Sequence, residues 1–140
     1  MSMKTYNPAE VAVIVGPFAI EGFSDGSKVT VERMEDSWAL QIGVDGEGTR
    51  SKSNNKSGSI KISLNQSSRS NQDLSTLLNT DELNGGGLVP VMIKDGSGNS
   101  LYVAKQAFIV KFPSAEFGKE ATTREWMLKT DVLIVNEGGN

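Results

Sequence analysis

Apolar residues recur at every second position along most of this chain, and that spacing limits the possible folds more than any other feature. The clearest case is residues 59–65, where Ile60, Ile62 and Leu64 alternate with polar residues. A period of two belongs to a β-strand, whose successive side chains point to opposite faces of a sheet. The sequence therefore predicts a β-rich domain.

The same spacing predicts strands elsewhere. Residues 11–15 form a continuous apolar run, which is typical of a strand buried on both faces. A run of turn-forming residues between 95 and 100 joins two further strands into a hairpin. The hairpin strands cover residues 89–94 and 101–112, and the other predicted strands cover residues 29–34, 38–44 and 124–135. Aromatic residues in phase with the aliphatic ones are predicted to lie in the core, and these are Trp38, Phe108, Phe112 and Trp126.

One short α-helix is predicted at about residues 71–83. Ser70 is placed to cap it, Leu74, Leu77 and Leu78 share one face, and three glycines follow Asn84. The length, 140 residues, suits one domain. We therefore predict a single, mainly β domain over residues 1–140, with two packed antiparallel sheets that form a sandwich or barrel and one helix.

Residues 46–58 contain no apolar side chain and predict a long polar loop. Arg50, Lys52 and Lys56 against Glu47 give this segment a charge of +2, whereas the whole chain carries −3 and the remainder therefore −5. A basic arm on an acidic body is suited to bind another copy of the same molecule.

The composition argues against catalysis. Cysteine and histidine are absent, which excludes thiol nucleophiles, imidazole bases and Cys/His zinc sites. The carboxylates of Glu32, Glu35, Asp36 and Asp45 are scattered, and the two glycine-rich stretches lack the lysine of a phosphate loop. The sequence predicts no catalytic, cofactor or metal site, and the net negative charge disfavours nucleic-acid binding.

Residues 34–75 resemble the central segment of the tail tube proteins of contractile-tailed bacteriophages. The acid-rich strand leading into Gly43-Val-Asp-Gly46, the long polar loop and the Ser57-Gly-Ser-Ile60 strand before a short helix carry the resemblance. Residues 105–113 and 119–126 resemble the closing strands of that family.

The resemblance implies a structural role without enzymatic activity or cofactors. Six subunits would close into a ring by pairing of strand edges, and rings would stack into a hollow tube through which the genome is ejected. The implied partners are further copies of the chain, a tail sheath outside, and a baseplate and tail terminator at the ends. DNA would pass through the lumen without specific binding, and no membrane partner is expected. The expected location is the virion, after synthesis in the host cytoplasm, because the N-terminus lacks the apolar core of a signal peptide.

Two sets of residues receive roles under this hypothesis. The contact between rings is predicted to use the polar loop, through Arg50, Lys52, Asn54, Asn55 and Lys56. DNA carries one negative charge per ~1.7 Å of its axis, so a basic bore would retain it. Acids are therefore expected to face the lumen, and the candidates are Glu32, Glu116 and Glu125.

Alternatives remain open at this point. The tube subunit of a tail-like bacteriocin or of a type VI secretion system would have the same shape. A carbohydrate-binding β-sandwich would need exposed aromatic platforms, for which Trp38 and Trp126 are the candidates, although burial in the core is the favoured interpretation of both.

Overall fold

A computed structural model describes residues 3–26 and 28–139. Within these residues the chain forms ten strands and one α-helix, preceded by a short 3-10 helix at Pro8–Glu10. The elements are β1 (Val11–Val15), β2 (Phe18–Ala19), β3 (Val29–Arg33), β4 (Trp38–Ile42), β5 (Gly48–Lys52), β6 (Gly58–Asn65), α1 (Ser70–Asn84), β7 (Val89–Asp95), β8 (Leu101–Lys111), β9 (Thr123–Thr130) and β10 (Leu133–Asn136).

Two antiparallel sheets contain these strands. The large sheet has the order β2-β1-β7-β8-β9-β6-β3, with β10 also paired to β8, and the second sheet consists of β4 and β5 alone. The predicted class, mainly β with two antiparallel sheets and one helix, is confirmed. The barrel alternative is wrong, because the large sheet is not closed and its outermost strands, β2 and β3, do not pair with each other.

The core lies on one face of the large sheet and follows the period of two. Ile60, Ile62 and Leu64 of β6 are fully buried, and Ile62 lies opposite the buried Trp126 of β9. Each apolar side chain of this size contributes about 1.5–3 kcal/mol when it is removed from water. Burial on alternate positions therefore fixes the register of β6 against β9.

The helix covers part of this core and runs from Ser70 to Asn84, as predicted. Leu74 and Leu78 are buried beneath it. The predicted capping role of Ser70 is wrong, because Ser70 is already helical and its hydroxyl accepts a hydrogen bond from the backbone N–H of Glu21. Gly85 ends the helix in the left-handed region, at φ 71°, which is suited to glycine.

Trp126 is confirmed as a core residue, whereas Phe108 and Phe112 are exposed. The reason is an extra residue in β8. Val89 pairs with Ala107 and Val91 pairs with Ala104, so an interval of two residues on β7 lies opposite an interval of three residues on β8. This β-bulge reverses the alternation, and Ala107 and Ile109 point inward where Phe108 was expected. Phe112 still contacts the core edge-on, with its ring centroid 6.0 Å from that of Trp126.

The prediction for Trp38 is also wrong, as is the long loop at 46–58. Trp38 lies in the two-stranded sheet, outside the core. Residues 48–52 form β5, a wholly polar strand whose backbone is satisfied by pairing with β4. Backbone pairing does not require apolar side chains, so the absence of such residues did not prevent a strand.

No helix in the described part of the chain is long and apolar enough to cross a membrane.

Candidate assembly surfaces

Strands β4 and β5 form a ribbon that continues the β3–β6 pair. The backbone N–H of Met34 donates to the carbonyl of Ser57 at 3.0 Å, and that of Ser53 donates to the carbonyl of Ser37 at 2.9 Å. These bonds continue the backbone hydrogen bonding of the β3–β6 pair into the β4–β5 pair. Each ribbon strand has five residues, about 17 Å at the usual rise of about 3.4 Å per residue. The ribbon therefore extends from one edge of the large sheet.

The tip of the ribbon is a tight turn. Gly46 donates its backbone N–H to the carbonyl of Gly43 at 2.9 Å, and Gly43 donates to the carbonyl of Glu47 at 2.8 Å. Gly46 has a φ of 85°, which a residue with a side chain rarely adopts. The carboxylate of Asp45 accepts from the N–H of Glu47, so the turn is stabilised by its own residues.

The two faces of the ribbon differ in chemistry. Trp38, Leu40 and Ile42 lie on one face and are 45%, 71% and 62% exposed. The register places Lys52 opposite Trp38 and Arg50 opposite Leu40, so both cations lie on this same face. We call it the ribbon face. The other face carries only small or uncharged side chains, namely Ala39, Gln41, Thr49 and Ser51.

Arg50 is partly engaged within the ribbon. Its guanidinium carbon lies 3.7 Å from the centroid of the Trp38 ring, in a cation–π arrangement. The stacked pair presents a flat apolar surface with a positive charge on it. The contact orders the Arg50 side chain before any partner binds.

The base of the ribbon is fixed to the large sheet. The backbone carbonyl of Lys56 accepts from the N–H of Leu133 at 2.8 Å. Asn55 Oδ1 accepts from both the N–H and the hydroxyl of Ser57, at 3.0 and 2.6 Å. The five residues expected at the contact between rings therefore separate: Arg50 and Lys52 lie on the ribbon face, whereas Asn54, Asn55 and Lys56 lie at its base.

The outward face of the large sheet, away from the core, is divided in charge. The strands of this sheet place five lysines and two glutamates on the outward face, which gives an excess of three positive charges. These residues are Lys61, Lys94, Lys105, Lys111, Lys129, Glu32 and Glu125. The half formed by β3, β6 and β9 is neutral, because the two glutamates are equal in number to the two lysines on these strands, Lys61 and Lys129. The half around β7 and β8 carries the remaining three lysines.

The candidate lumen acids do not form one cluster. Glu32 and Glu125 both lie on the neutral half, and Glu125 is 3.6 Å from the ammonium of Lys61, with both side chains about half exposed. Glu116 lies in the segment between β8 and β9. Its backbone carbonyl accepts hydrogen bonds from Thr122 Oγ1 and from the buried Arg124, at 2.9 and 3.3 Å.

A row of apolar side chains crosses the other half of the outward face. Ile14, Met92, Val103 and Ile134 are successive cross-strand partners on β1, β7, β8 and β10. Lys94 and Lys105 flank this row on the same face. Any partner of this surface must therefore tolerate positive charge.

Lys28 links the edge strand β3 to β1, the second strand at the opposite end of the strand order. Its ammonium donates to the backbone carbonyls of Pro8 and Val11, at 2.8 and 2.6 Å, and so links the start of β3 to the start of β1. Burial lowers the pKa of Lys28 below its usual value. At the same end of the sheet, Tyr102 donates its hydroxyl to Glu137 at 2.6 Å, and this hydrogen bond raises the pKa of Tyr102, with desolvation adding to it.

The C-terminal end of helix α1 also exposes apolar side chains. Leu83 and Leu88 are 85% and 57% exposed. Asp81 and Glu82 lie beside them, and the last helical turn has no basic residue. The free carbonyls of a helix C-terminus carry a partial negative charge, which favours cations. Sequence reasoning missed this site, because Leu83 does not lie on the helix face formed by Leu74, Leu77 and Leu78, and the sequence pattern does not show that Leu83 is exposed.

The described residues contain no group of three or more acidic side chains placed to hold a metal ion. The aspartate at the start of the 95–100 turn is used locally, since Asp95 Oδ1 accepts from the N–H and hydroxyl of Ser97 at 3.0 and 2.8 Å.

A β domain with a partly apolar ribbon and sheet edges left open along its described residues has the features of a structural subunit that binds copies of itself. The family model described as "Bacteriophage PhiTE tail tube protein" matches residues 3–136. The chain belongs to this family of phage tail tube proteins.

The chain is similar in sequence to a phage structural protein and similar in fold to several solved structures. Structural protein ORF10 of Pseudomonas phage KPP10 is 33% identical over 145 residues, covering 98% of this chain and 84% of that protein. Among solved structures, the fold is similar to chains of an extracellular contractile injection system. The PVC sheath/tube terminator has 16% identity and a TM-score of 0.67, and the match covers 98% of this chain and 100% of that one. The PVC sheath-tube complex has 16% identity and a TM-score of 0.63, and the match covers 94% of this chain and 91% of that one. The fold is also similar to a chain of the anti-feeding prophage cap, with 13% identity and a TM-score of 0.64, and this match covers 97% of this chain and 93% of that one.

Proposed function

We propose that this protein is the structural subunit of a phage tail tube, in which hexameric rings stack into a hollow conduit inside a contractile sheath. The genome passes through this conduit into the host cell. The observation that carries the proposal is the family match over residues 3–136, nearly the whole chain. The subunit has no enzymatic role and no cofactor, and it resides in the virion after synthesis in the host cytoplasm.

Ring closure uses the open edges of the large sheet. The outer edge of β3 and the short β2 at the other end expose backbone groups that pair readily with another chain. Cyclic symmetry limits growth by satisfying each edge once. The apolar row Ile14, Met92, Val103 and Ile134 supplies side-chain burial beside that pairing.

Stacking of rings uses the ribbon. It projects from the sheet, carries exposed apolar side chains and presents Arg50 and Lys52 on the same face. Asn54, Asn55 and Lys56 at the base lie close to the same junction. An exposed ion pair contributes only about 0–1 kcal/mol, so burial of Trp38, Leu40 and Ile42 supplies most of the free energy of this contact.

The bore is lined by the β3–β6–β9 half of the outward face, which bears Glu32 and Glu125, with Glu116 at its margin. The charges on this half cancel, so phosphates meet a polar surface that does not retain them. The lysines of β7 and β8 lie away from the bore. The sheath contacts the outside of the tube, and the baseplate and tail terminator bind its ends.

Negative-stain electron microscopy of the purified protein tests this function. Rings or tubes with a central hole are expected, together with detection of the chain in tails of purified virions. Particles that carry the chain but contain no DNA would instead indicate a tail-like bacteriocin or secretion tube, the alternative that the injection-system folds favour. A protein that forms neither rings nor tubes and is absent from virions would refute the proposal.

A further inference from the structure

We propose that the ribbon face binds the C-terminal end of helix α1 in a second copy of the chain. In this contact Trp38, Leu40 and Ile42 cover Leu83 and Leu88, while Arg50 and Lys52 approach Asp81 and Glu82. The inference rests on the proposed tube function and names the surface that receives the ribbon.

The apolar parts of the two surfaces match. Leu40 and Ile42 on the ribbon, and Leu83 and Leu88 at the helix end, are each more than half exposed. Because Leu40 and Leu83 both remain open to solvent, they do not cover each other within one copy. A second copy can cover both, and removal of this apolar surface from water favours association.

The charges match as well. The helix end combines the negative end of the helix dipole with Asp81 and Glu82, and its last turn lacks a basic residue. Asp81 Oδ1 accepts a hydrogen bond from the backbone N–H of Gly87 at 3.1 Å, but neither acid has a basic residue on its own helical turn, and negative charge is unfavourable at this end of a helix. Arg50 and Lys52 supply the missing positive charge, and the stacking of Arg50 on Trp38 holds one of them in place.

The apolar row on the outward face of the large sheet is a poorer receiver. The row formed by Ile14, Met92, Val103 and Ile134 is flanked by Lys94 and Lys105, which would repel the two cations of the ribbon face. Because the ribbon and the helix end are different patches, their contact is heterologous and repeats without closing when it runs along an axis. This is the geometry that extends a tube.

Disulfide crosslinking tests the contact directly, because the chain contains no cysteine. In assembled tubes, the double variant Leu40→Cys, Leu83→Cys is expected to give a ladder of crosslinked species beyond the dimer under mild oxidation. The matched control is Gln41→Cys with Leu83→Cys, since Gln41 lies on the opposite face of the same strand. The control is expected to lose the ladder, because two cysteines whose Cβ atoms point apart cannot form a disulfide without movement of the backbone.

A charge exchange gives a second readout. Arg50→Glu is expected to abolish tubes, and addition of Glu82→Lys to restore them. If wild-type tubes form but the two cysteine pairs crosslink equally, or Glu82→Lys fails to rescue Arg50→Glu, the ribbon binds elsewhere and only this inference is overturned. If the wild-type chain forms no tubes, the proposed function itself fails.

Discussion

The indole N–H of Trp126 donates a hydrogen bond to Oδ1 of Asn71 at 2.9 Å, which joins strand β9 to the first turn of helix α1. Trp126 is 1% exposed, so its N–H has no access to water in the folded domain. Asn71 also donates to the backbone carbonyl of Asn65 at 2.9 Å. One amide therefore links the helix to the sheet and to the turn that precedes the helix.

We expect Asn71→Ala to lower the free energy of unfolding by about 1–3 kcal/mol, because the buried indole N–H loses its acceptor. Urea denaturation followed by tryptophan fluorescence measures this. Asn79→Ala is the control, since Asn79 is an exposed residue of the same helix. Equal stability of the two variants would show that the hydrogen bond contributes nothing.

Gly58 is predicted to tolerate no side chain. A Cβ at this position would lie 2.5 Å from Leu133 Cδ2 and 3.0 Å from the carbonyl of Glu32. Gly58→Ala should therefore destabilise the domain by about 1–3 kcal/mol through overpacking. Gly118→Ala is the matched control, because nothing lies within 4 Å of its Cβ. Thermal unfolding of both variants checks the difference, and similar melting temperatures would contradict the prediction.

Tyr102 should make stability fall at alkaline pH. The hydrogen bond to Glu137 raises the folded-state pKa of Tyr102 above its ordinary value of 10.0. The group therefore contributes stability that is fully present below pH 10.0 and is lost as the pH rises through the folded-state pKa. Across that window the wild type should lose stability more steeply than Tyr102→Phe. Parallel slopes for the two proteins would exclude a contribution from this bond.

The ribbon face should be dispensable for folding and necessary for assembly. Because Trp38, Leu40 and Ile42 lie outside the buried core, serine at all three positions should leave the large sheet and the helix folded, as measured by urea denaturation followed by the fluorescence of the buried Trp126. The same variant should form no tubes in electron micrographs. Serine at Ala39 and Gln41, on the other ribbon face, is the control and should leave tubes intact. Tubes of normal length from the triple variant would remove the ribbon from the stacking contact.

Charge at the proposed bore should affect DNA passage. Glu32→Lys combined with Glu125→Lys makes the neutral half of the outward face strongly basic, and we expect slower release of DNA from virions that carry it. Glu10→Lys changes charge outside the outward strand positions and serves as the control. The measurement is the rate of DNA release after triggering. Unchanged release from the double variant, with normal virion assembly, would place the two acids away from the bore.

The period of two predicted strands wherever pairing is regular. Strand β6 and its buried Ile60, Ile62 and Leu64 follow the sequence directly, because one face of the strand lies on the core throughout. In β8 the bulge between Ala104 and Ala107 reverses the alternation, and it depends on pairing with β7. A bulge depends on how two strands pair, so the sequence of β8 alone does not reveal it. The prediction that Phe108 lies in the core was wrong for that reason.

The ribbon shows a different limit. The alternation of Trp38, Leu40 and Ile42 predicts an apolar face, and that face exists, but the sequence does not say whether the same chain covers it. Arg50 and Lys52 were expected in a loop and lie instead on a strand opposite those residues. Their shared face follows from the turn at Gly43–Glu47, which sets the register of the hairpin.

Sedimentation velocity over a range of protein concentrations tests most directly whether this domain acts by binding copies of itself. We expect the 15.0 kDa chain to form species much heavier than the monomer as its concentration rises, whereas the triple serine variant of the ribbon face should not form stacks of rings. A single 15.0 kDa species at every concentration would contradict the account.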